Sequence, residues 1–97
     1  MSAYVLLCNY TDQGVRNIKD VPKRRAAARE LAKSFGVEIK SGHLAFGPYD
    51  LILHTEAPND EAMAKFVLSA ASKGNVRSTT VKVFSEAETD KIIAAIT

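Results

Sequence analysis

The run Tyr4-Val5-Leu6-Leu7-Cys8 is apolar at every position, and the polar, basic stretch 9–24 joins it directly to the start of a helix. A continuous apolar run of this length predicts a strand that is buried on both faces and central in its sheet. From Pro22 to Phe35, alanine, leucine and phenylalanine recur at helical spacing, and Gly36 follows as a stop. The chain therefore begins with a central strand followed by a helix.

The remaining sequence predicts a hairpin, a second helix, a fourth strand and a C-terminal helix, in the ranges 37–55, 59–73, 75–84 and 85–96. The hairpin turns at Gly47-Pro48-Tyr49-Asp50, and its second strand, 51–55, is the inner one. The stretch Pro58-Asn59-Asp60 provides N-cap chemistry for the second helix. Ser85 and Glu88 form a capping box that opens the last helix.

The predicted order is βαββαβ with a tail helix, which is the ferredoxin-like pattern of the α+β class. Right-handed crossovers place strands 1 and 3 in the middle of a four-stranded antiparallel sheet, with both helices on one face. Because strands 1 and 3 are apolar on both faces, the other face is left uncovered. We expect a second copy of the sheet to cover it, which makes the protein a homodimer.

Composition limits the class of protein. The 97 residues, with 46% hydrophobic and 25% charged content, predict one domain over residues 1–97. The N-terminus has no signal-peptide pattern and no apolar stretch is long enough to span a bilayer, so we expect a cytoplasmic protein without a membrane partner. A net charge of +2 is too small to indicate a nucleic-acid partner.

Four segments resemble those of the GYD domain family: Asn9–Gly14, Asp20–Arg24, Gly47–Asp50 and Gly74–Arg77. The resemblance covers nearly the whole chain. It implies a ferredoxin-like fold that associates as a dimeric α+β barrel.

The topology predicts a candidate site at one end of the sheet. We expect the loop after strand 1, the start of the first helix, the end of strand 3 and the start of strand 4 to meet there, with the turn 47–50 at the other end. The residues expected to converge are Asn9, Tyr10, Lys23, Arg24, His54, Asn75 and Arg77.

Cations in the first turn of the first helix suggest what this site binds. Lys23, Arg24 and Arg25 stand where the helix dipole disfavours positive charge. One interpretation is that they receive an anionic or carboxylate-bearing ligand. The alternative is that they extend into solvent or pair with nearby carboxylates. Arg25, Arg29 and Lys33 also form an i, i+4, i+8 stripe, which we interpret as a solvated face.

The two histidines provide a second candidate. If Phe46 pairs with Leu51, His43 lies directly opposite His54 on the face away from the helices. That register also places Leu44, Phe46, Leu51 and Leu53 under the helices. Such a pair could serve as catalytic acid and base or contribute to a metal site, or it could be a hydrogen-bonded pair in a polar pocket. Two histidines are fewer ligands than a metal centre needs, so we expect no metal and no cofactor.

Two functions are compatible with these features. The first is a homodimer with a pocket that binds, or binds and transforms, a small and anionic molecule. The second is a non-enzymatic structural or regulatory dimer that docks a protein partner. RNA binding ranks below both, because strand 3 lacks the aromatic stacking residues of an RNA-recognition motif. Cys8 is expected to be a buried small hydrophobe rather than a reactive thiol.

Overall fold

The computed structural model describes all residues, Met1–Thr97. In chain order its elements are β1 (Ser2–Tyr10), α1 (Asp12–Arg16), a 3-10 turn (Ile18–Asp20), α2 (Val21–Ser34), β2 (Glu38–Leu44), β3 (Leu51–Ala57), α3 (Asp60–Ala71), β4 (Val76–Val83) and α4 (Glu86–Ala94). The polar stretch after β1 thus contains a five-residue helix that its sequence does not reveal, because so short a segment shows no apolar period. No helix combines the length and apolar character that crossing a bilayer requires.

The four strands form one antiparallel sheet in the order β2-β3-β1-β4. The predicted ferredoxin-like arrangement, with strands 1 and 3 in the centre, is confirmed. The edge strand β2 is irregular: its register against β3 shifts between Ile39 and Ser41, which leaves Lys40 as an extra residue in a β-bulge.

Side chains of β1 alternate between the two faces of the sheet. Tyr4, Leu6 and Cys8 are each 3% exposed and lie on the face covered by α2 and α3. Buried side chains from those helices complete the core: Ala32, Met63 and Phe66. Val5 and Leu7 point to the opposite face and are only half-buried. One apolar face of the sheet therefore lies outside the core, as β1 predicted.

The helix boundaries follow from local chemistry. The side chain of Asn59 accepts a hydrogen bond from a backbone N–H in the first turn of α3, at 2.8 Å. At the start of α4, Ser85 and Glu88 exchange the two hydrogen bonds of a capping box, at 3.1 and 2.9 Å. Gly36 and Gly74 follow α2 and α3 with φ values of 77° and 85°, a conformation that favours glycine. The predicted caps and stops are confirmed.

The segment after β1 is locked onto the turn that precedes β4. The backbone N–H of Thr11 donates to the carbonyl of Asn75 at 3.1 Å, and its hydroxyl donates to the carbonyl of Gly74 at 2.6 Å. The amide of Gln13 donates to the Asn75 side chain at 3.1 Å. A Cβ atom on Gly14 would lie only 2.1 Å from the Asn75 carbonyl oxygen. Close backbone packing therefore joins two of the four segments that carry the family resemblance.

The β2–β3 hairpin pairs in a different register from the predicted one. Leu44, not Phe46, lies opposite Leu51, so residues 45–50 form a longer connection than expected. Phe46 stands in that connection and is fully exposed, at 109%. Leu44 ends the edge strand and is 81% exposed. The prediction that both pack under the helices is therefore wrong.

Asp50 explains the altered register, because it binds the end of β1. Its N–H donates to the carbonyl of Cys8 at 2.9 Å, and its carboxylate accepts from the N–H of Tyr10 at 2.9 Å. The hairpin turn therefore lies at the same end of the sheet as Tyr10, not at the opposite end as predicted. The reason is that β3 runs antiparallel to β1, so its start, and not its end, lies beside the end of β1.

A polar cluster joins β1, α3 and β4 at the other end. The buried Tyr4 hydroxyl donates to the carboxylate of Asp60, and Lys82 Nζ donates to the same carboxylate at 3.1 Å. These hydrogen bonds, that of Tyr4 first, lower the pKa of Asp60 from its ordinary value. Burial, and then the bond to Asp60, raise the pKa of Tyr4.

The Gly14 contact predicts a large difference between two glycine substitutions. Gly14→Ala should lower the free energy of unfolding by about 1–3 kcal/mol, because its methyl group would overlap the Asn75 carbonyl. Gly47→Ala, which meets no atom within 4 Å, is the control and should change it by less than about 1 kcal/mol. Urea unfolding monitored by circular dichroism measures both. Equal stability of the two variants would contradict this packing.

The depressed pKa of Asp60 predicts a pH-dependent contribution to stability. A carboxyl group whose pKa is lowered in the folded state stabilises the fold above its unfolded pKa, and this contribution is lost as the pH falls through the folded value. The unfolding midpoint of Asp60→Asn should therefore lie below that of the unsubstituted protein at pH 6. The gap should close as the pH falls below the ordinary value of 3.8.

Glu61→Gln is the matched control, because Glu61 pairs only with exposed Lys65 on the helix surface, at 3.4 Å. It should shift the midpoint little at either pH. A gap for Asp60→Asn that stays constant between pH 6 and pH 3 would show that the carboxylate contributes no ionisation-dependent stability.

Candidate functional site

A cleft of about 700 Å³ opens between α2 and the helix-side face of the sheet. Leu51 and Leu53 of β3, with Ile39 of β2, form an apolar floor, and Gly42 adds no side chain that would fill it. Small and apolar side chains of α2 form the facing wall: Val21, Ala27, Ala28 and Leu31. The volume lies within the range of pockets that bind small molecules.

Positive charge surrounds this apolar cleft. Four cationic side chains line it: Arg24, Arg25, Arg29 and Lys73. The carboxylate of Glu30 is the single acidic group among the lining residues. The Arg24 guanidinium donates to the backbone carbonyls of Asn17, at 2.6 Å, and Gly14, at 3.3 Å, so its position is fixed by the segment that follows β1. An apolar cavity with a cationic rim suits a ligand that has an apolar body and an anionic group.

Only part of the predicted convergent set meets at this cleft. Tyr10, Arg24 and Asn75 line it. The side chain of Asn75 already accepts the hydrogen bond from Gln13, so it has a structural role as well. Lys23 is exposed in the first turn of α2 and lies outside the lining.

The sheet separates the remaining predicted residues from the cleft. Asn9 and Arg77 are paired across β1 and β4. Because side chains alternate along a strand, they point to the face opposite that of Tyr10 and Val76. His54 is paired with Val5, well inside the strand rather than at this end of the sheet. The expectation of one convergent site was wrong because it placed residues of both sheet faces in one cavity.

The two histidines approach each other on this second face, but not directly across the ladder. His43 lies opposite Ile52 and His54 lies opposite Ser41, so the predicted cross-strand pairing is wrong. The observed pairing is shifted by two residues from the predicted one, so both histidines stay on the same face of the sheet. Their rings therefore meet diagonally across the two strands. Their centroids are 6.1 Å apart with an interplanar angle of 82°.

We call the side of the sheet that carries the histidines the open face. Its centre is an apolar stripe, contributed by β1, β3 and β4: Ala3, Val5, Leu7, Ile52, Val81 and Val83. Asn9 and Arg77 border this stripe at one end. At the β2 side, Lys40 forms ion pairs with Glu38 and Glu56, both at 3.8 Å. A continuous apolar stripe bordered by polar groups is typical of a contact surface between proteins.

Sequence reasoning missed the role of the α2 stripe. Arg25, Arg29 and Lys33 were interpreted as a solvated face, and all three are exposed. Arg25 and Arg29 nevertheless line the cleft, whereas Lys33 does not. The informative signal was their position beside alanines at 26–28, since small side chains leave space between a helix and a sheet.

Cys8 takes no part in either surface. Cys8 is 3% exposed in the core, and this burial raises the pKa of its thiol to about 11. A protonated, inaccessible thiol is a poor nucleophile, in agreement with the prediction of a buried small hydrophobe.

Comparisons with known proteins give matches over most of this chain. The family described as the GYD domain matches residues 4–93. The glutamine synthetase and cystathionine beta-lyase binding protein of Thermus thermophilus is 29% identical over 89 residues, which cover 91% of this chain and 94% of the relative.

Solved structures share the fold at low sequence identity. The feast or famine regulatory protein of M. tuberculosis, solved with L-methionine, is 14% identical with a TM-score of 0.66 over 88% of this chain and 51% of that protein. A second solved structure, of a Thermus thermophilus protein, is 20% identical with a TM-score of 0.57, over 88% and 95% of the two chains. This chain therefore spans about half the length of the regulator that it resembles, and these likenesses show the fold alone.

Proposed function

This chain belongs to the GYD domain family, and we propose that it acts as a homodimeric binding protein whose helix-side cleft takes up a small amphipathic anion. The observation that carries the proposal is the apolar floor beneath α2, surrounded by four cationic side chains and one carboxylate. A carboxylate bound to an aliphatic body matches both properties of this cleft.

The cleft is arranged to bind such a ligand without large rearrangement. Arg24 is held by two backbone carbonyls, and the segment that supplies them is locked onto the turn before β4. A cation that is already positioned loses little side-chain entropy when a carboxylate binds. Arg25 and Arg29 lie one turn apart on the same side of α2 and extend the positive charge along the cleft.

Binding is favoured over catalysis by the placement of the titratable groups. The histidines proposed as acid and base lie on the open face, on the far side of the sheet from the cleft. The phenol of Tyr10 and the arginines of the rim can orient a ligand. We therefore assign Tyr10, Arg24 and Asn75 to ligand binding and include no cofactor in the proposal.

The open face is the proposed dimer interface. Its apolar stripe is half-buried in one copy, and a second sheet packed against it would remove that stripe from water. Asn9, Arg77 and the two histidines border the stripe, so in such a dimer they would supply polar contacts at its margin. Face-to-face packing of two sheets is the arrangement of a dimeric α+β barrel.

A second candidate function is the docking of a protein partner. It is supported by the Thermus relative, whose name describes binding to glutamine synthetase and cystathionine beta-lyase. Exposed Phe46, on a connection held to β1 through Asp50, offers an aromatic anchor for such a partner. In this alternative the protein is a regulatory dimer without a small-molecule ligand.

The proposed interface predicts that lysine changes the assembly at one of two neighbouring positions of β4 and not at the other. Val81→Lys places a charge on the open face and should halve the particle mass measured by sedimentation velocity, because an unpaired charge would be buried between the sheets. Thr80→Lys, one residue away on the other face, is the control and should leave the mass unchanged. A monomeric unsubstituted protein, or Val81→Lys with unchanged mass, would exclude this interface.

The proposed ligand class predicts that sodium decanoate, a simple amphipathic carboxylate, binds in the cleft. Below its micelle concentration it should shift the backbone NMR signals of residues lining the cleft, such as Leu53 and Ala28, and leave those of the open face unchanged. Arg25→Gln combined with Arg29→Gln should weaken the affinity about fivefold, since an exposed charge pair contributes about 0.2–1 kcal/mol.

Lys33→Gln provides the matched control, because it removes one positive charge from the same helix outside the cleft. Its decanoate affinity should stay within about twofold of the unsubstituted value. Signals that shift only on the open face, or an affinity equally weakened by Lys33→Gln, would reject the cleft as the binding site. Complete absence of binding would instead favour the protein-docking candidate.

A further inference from the structure

The C-terminal helix α4 has an apolar side that nothing in its own chain covers. No residue of α4 is buried: Ile92 and Ile93 are 47% and 58% exposed, and Ile96, two residues beyond the end of the helix, is 69% exposed. Apart from its capping box, little holds this helix in place. An isolated helix shorter than about 12–15 residues is marginal in water, and α4 has nine. Its stability therefore calls for a packing partner.

From the chemistry of both surfaces, we infer that α4 of a second copy of this chain docks in the cleft beneath α2. The inference rests on the proposed function, because it makes α4 a competitor of the small anion at the same site.

The charges of α4 and of the cleft are complementary. Alongside its isoleucines, α4 carries the carboxylates of Glu86, Glu88 and Asp90 against one cation, Lys91. The cleft has the reverse balance, with four cations and one carboxylate. Opposite potentials of this kind favour association and set its orientation.

The apolar surface of the cleft is elongated enough to take a helix. The apolar surface of the cleft floor extends beyond the space that a small molecule would fill. Leu44, 81% exposed, is paired with Leu51 of the floor and lies on the same side of the sheet, so it extends the apolar surface beyond α2. An elongated apolar groove bordered by charge accommodates an amphipathic helix through its apolar side chains, here Ile92 and Ile93, with Ile96 just beyond the end of the helix.

In its own chain α4 lies away from the cleft. None of its residues lines the cleft. It leaves from Val83, about 23 Å along β4 from the lining residue Val76, and the helix α3 packs against that strand. We therefore assign the docked helix to a second copy.

Reciprocal exchange of α4 between two copies is a closed, two-fold arrangement. It uses the helix side of the sheet and is separate from the association through the open face. A protein with both interfaces can form pairs of dimers. Docked α4 then blocks the cleft, and an amphipathic anion must displace it, so ligand concentration and assembly state become coupled.

Disulfide trapping between copies of the full chain tests the inference. A tagged Ile92→Cys protein is mixed with an untagged Ala27→Cys protein under mild oxidation, and mixed disulfides are identified by mass. Ala27 lines the cleft and is exposed, and the native Cys8 is buried. Ala94→Cys is the matched control, since two residues rotate it by about 200° around the helix. Ile92→Cys should give about tenfold more mixed disulfide, because the bond requires Cα atoms within about 7 Å.

Two trapping results would overturn the inference. One is equal coupling of Ile92→Cys and Ala94→Cys to Ala27→Cys. The other is preferential coupling of Ile92→Cys to Thr79→Cys, which lies on the open face and would place α4 there instead.

Decanoate binding separates this inference from the proposed function. Replacing Ile92 and Ile93 by serine should tighten decanoate binding about fivefold, because the fraction of open clefts rises. Mixed disulfides, with no decanoate binding even in the serine variant, would reject the small-molecule function and leave helix docking supported. Decanoate binding at the cleft without preferential trapping, and with unchanged affinity in the serine variant, would reject helix docking and leave the small-molecule function supported.

Discussion

Every surface of this protein depends on the alternation of side chains along β1. Tyr4, Leu6 and Cys8 bury one face of the strand under α2 and α3, while Val5 and Leu7 carry apolar character onto the other face. A strand that is apolar on both sides has to be central, and it needs two covering layers. The chain supplies one layer in its own helices. The chain supplies no second layer for the open face, and in the proposed homodimer another copy covers it.

Local chemistry made most of the fold predictable from the sequence. The capping box at Ser85, the cap at Asn59 and the glycine stops after α2 and α3 act over a few residues, and all were recognisable as patterns. The hairpin register was not, because it is set by Asp50 binding to the end of β1, a contact between segments distant in sequence. The short helix α1 was missed because five residues show no apolar period, and its N-terminal end is fixed by contact with the turn before β4.

The candidate site shows the same division between local and distant information. The cations of α2 were recognised as unusual from their position alone. Their apolar complement was not, since the floor of the cleft exists only where α2 leaves Leu51 and Leu53 uncovered. The separation of Asn9 from Tyr10, by contrast, was available from the sequence, because consecutive residues of a strand cannot share a face. The second error was to place the end of β3, and not its start, beside the end of β1.

The bulge at Lys40 limits the directions in which this protein can assemble. It interrupts the hydrogen-bonding pattern of β2, one of the two edge strands of the sheet, and places an ammonium group among the carboxylates of Glu38 and Glu56. An incoming strand would find neither a regular row of donors and acceptors nor an uncharged margin. Growth of the sheet into a continuous fibril is thereby disfavoured at this edge.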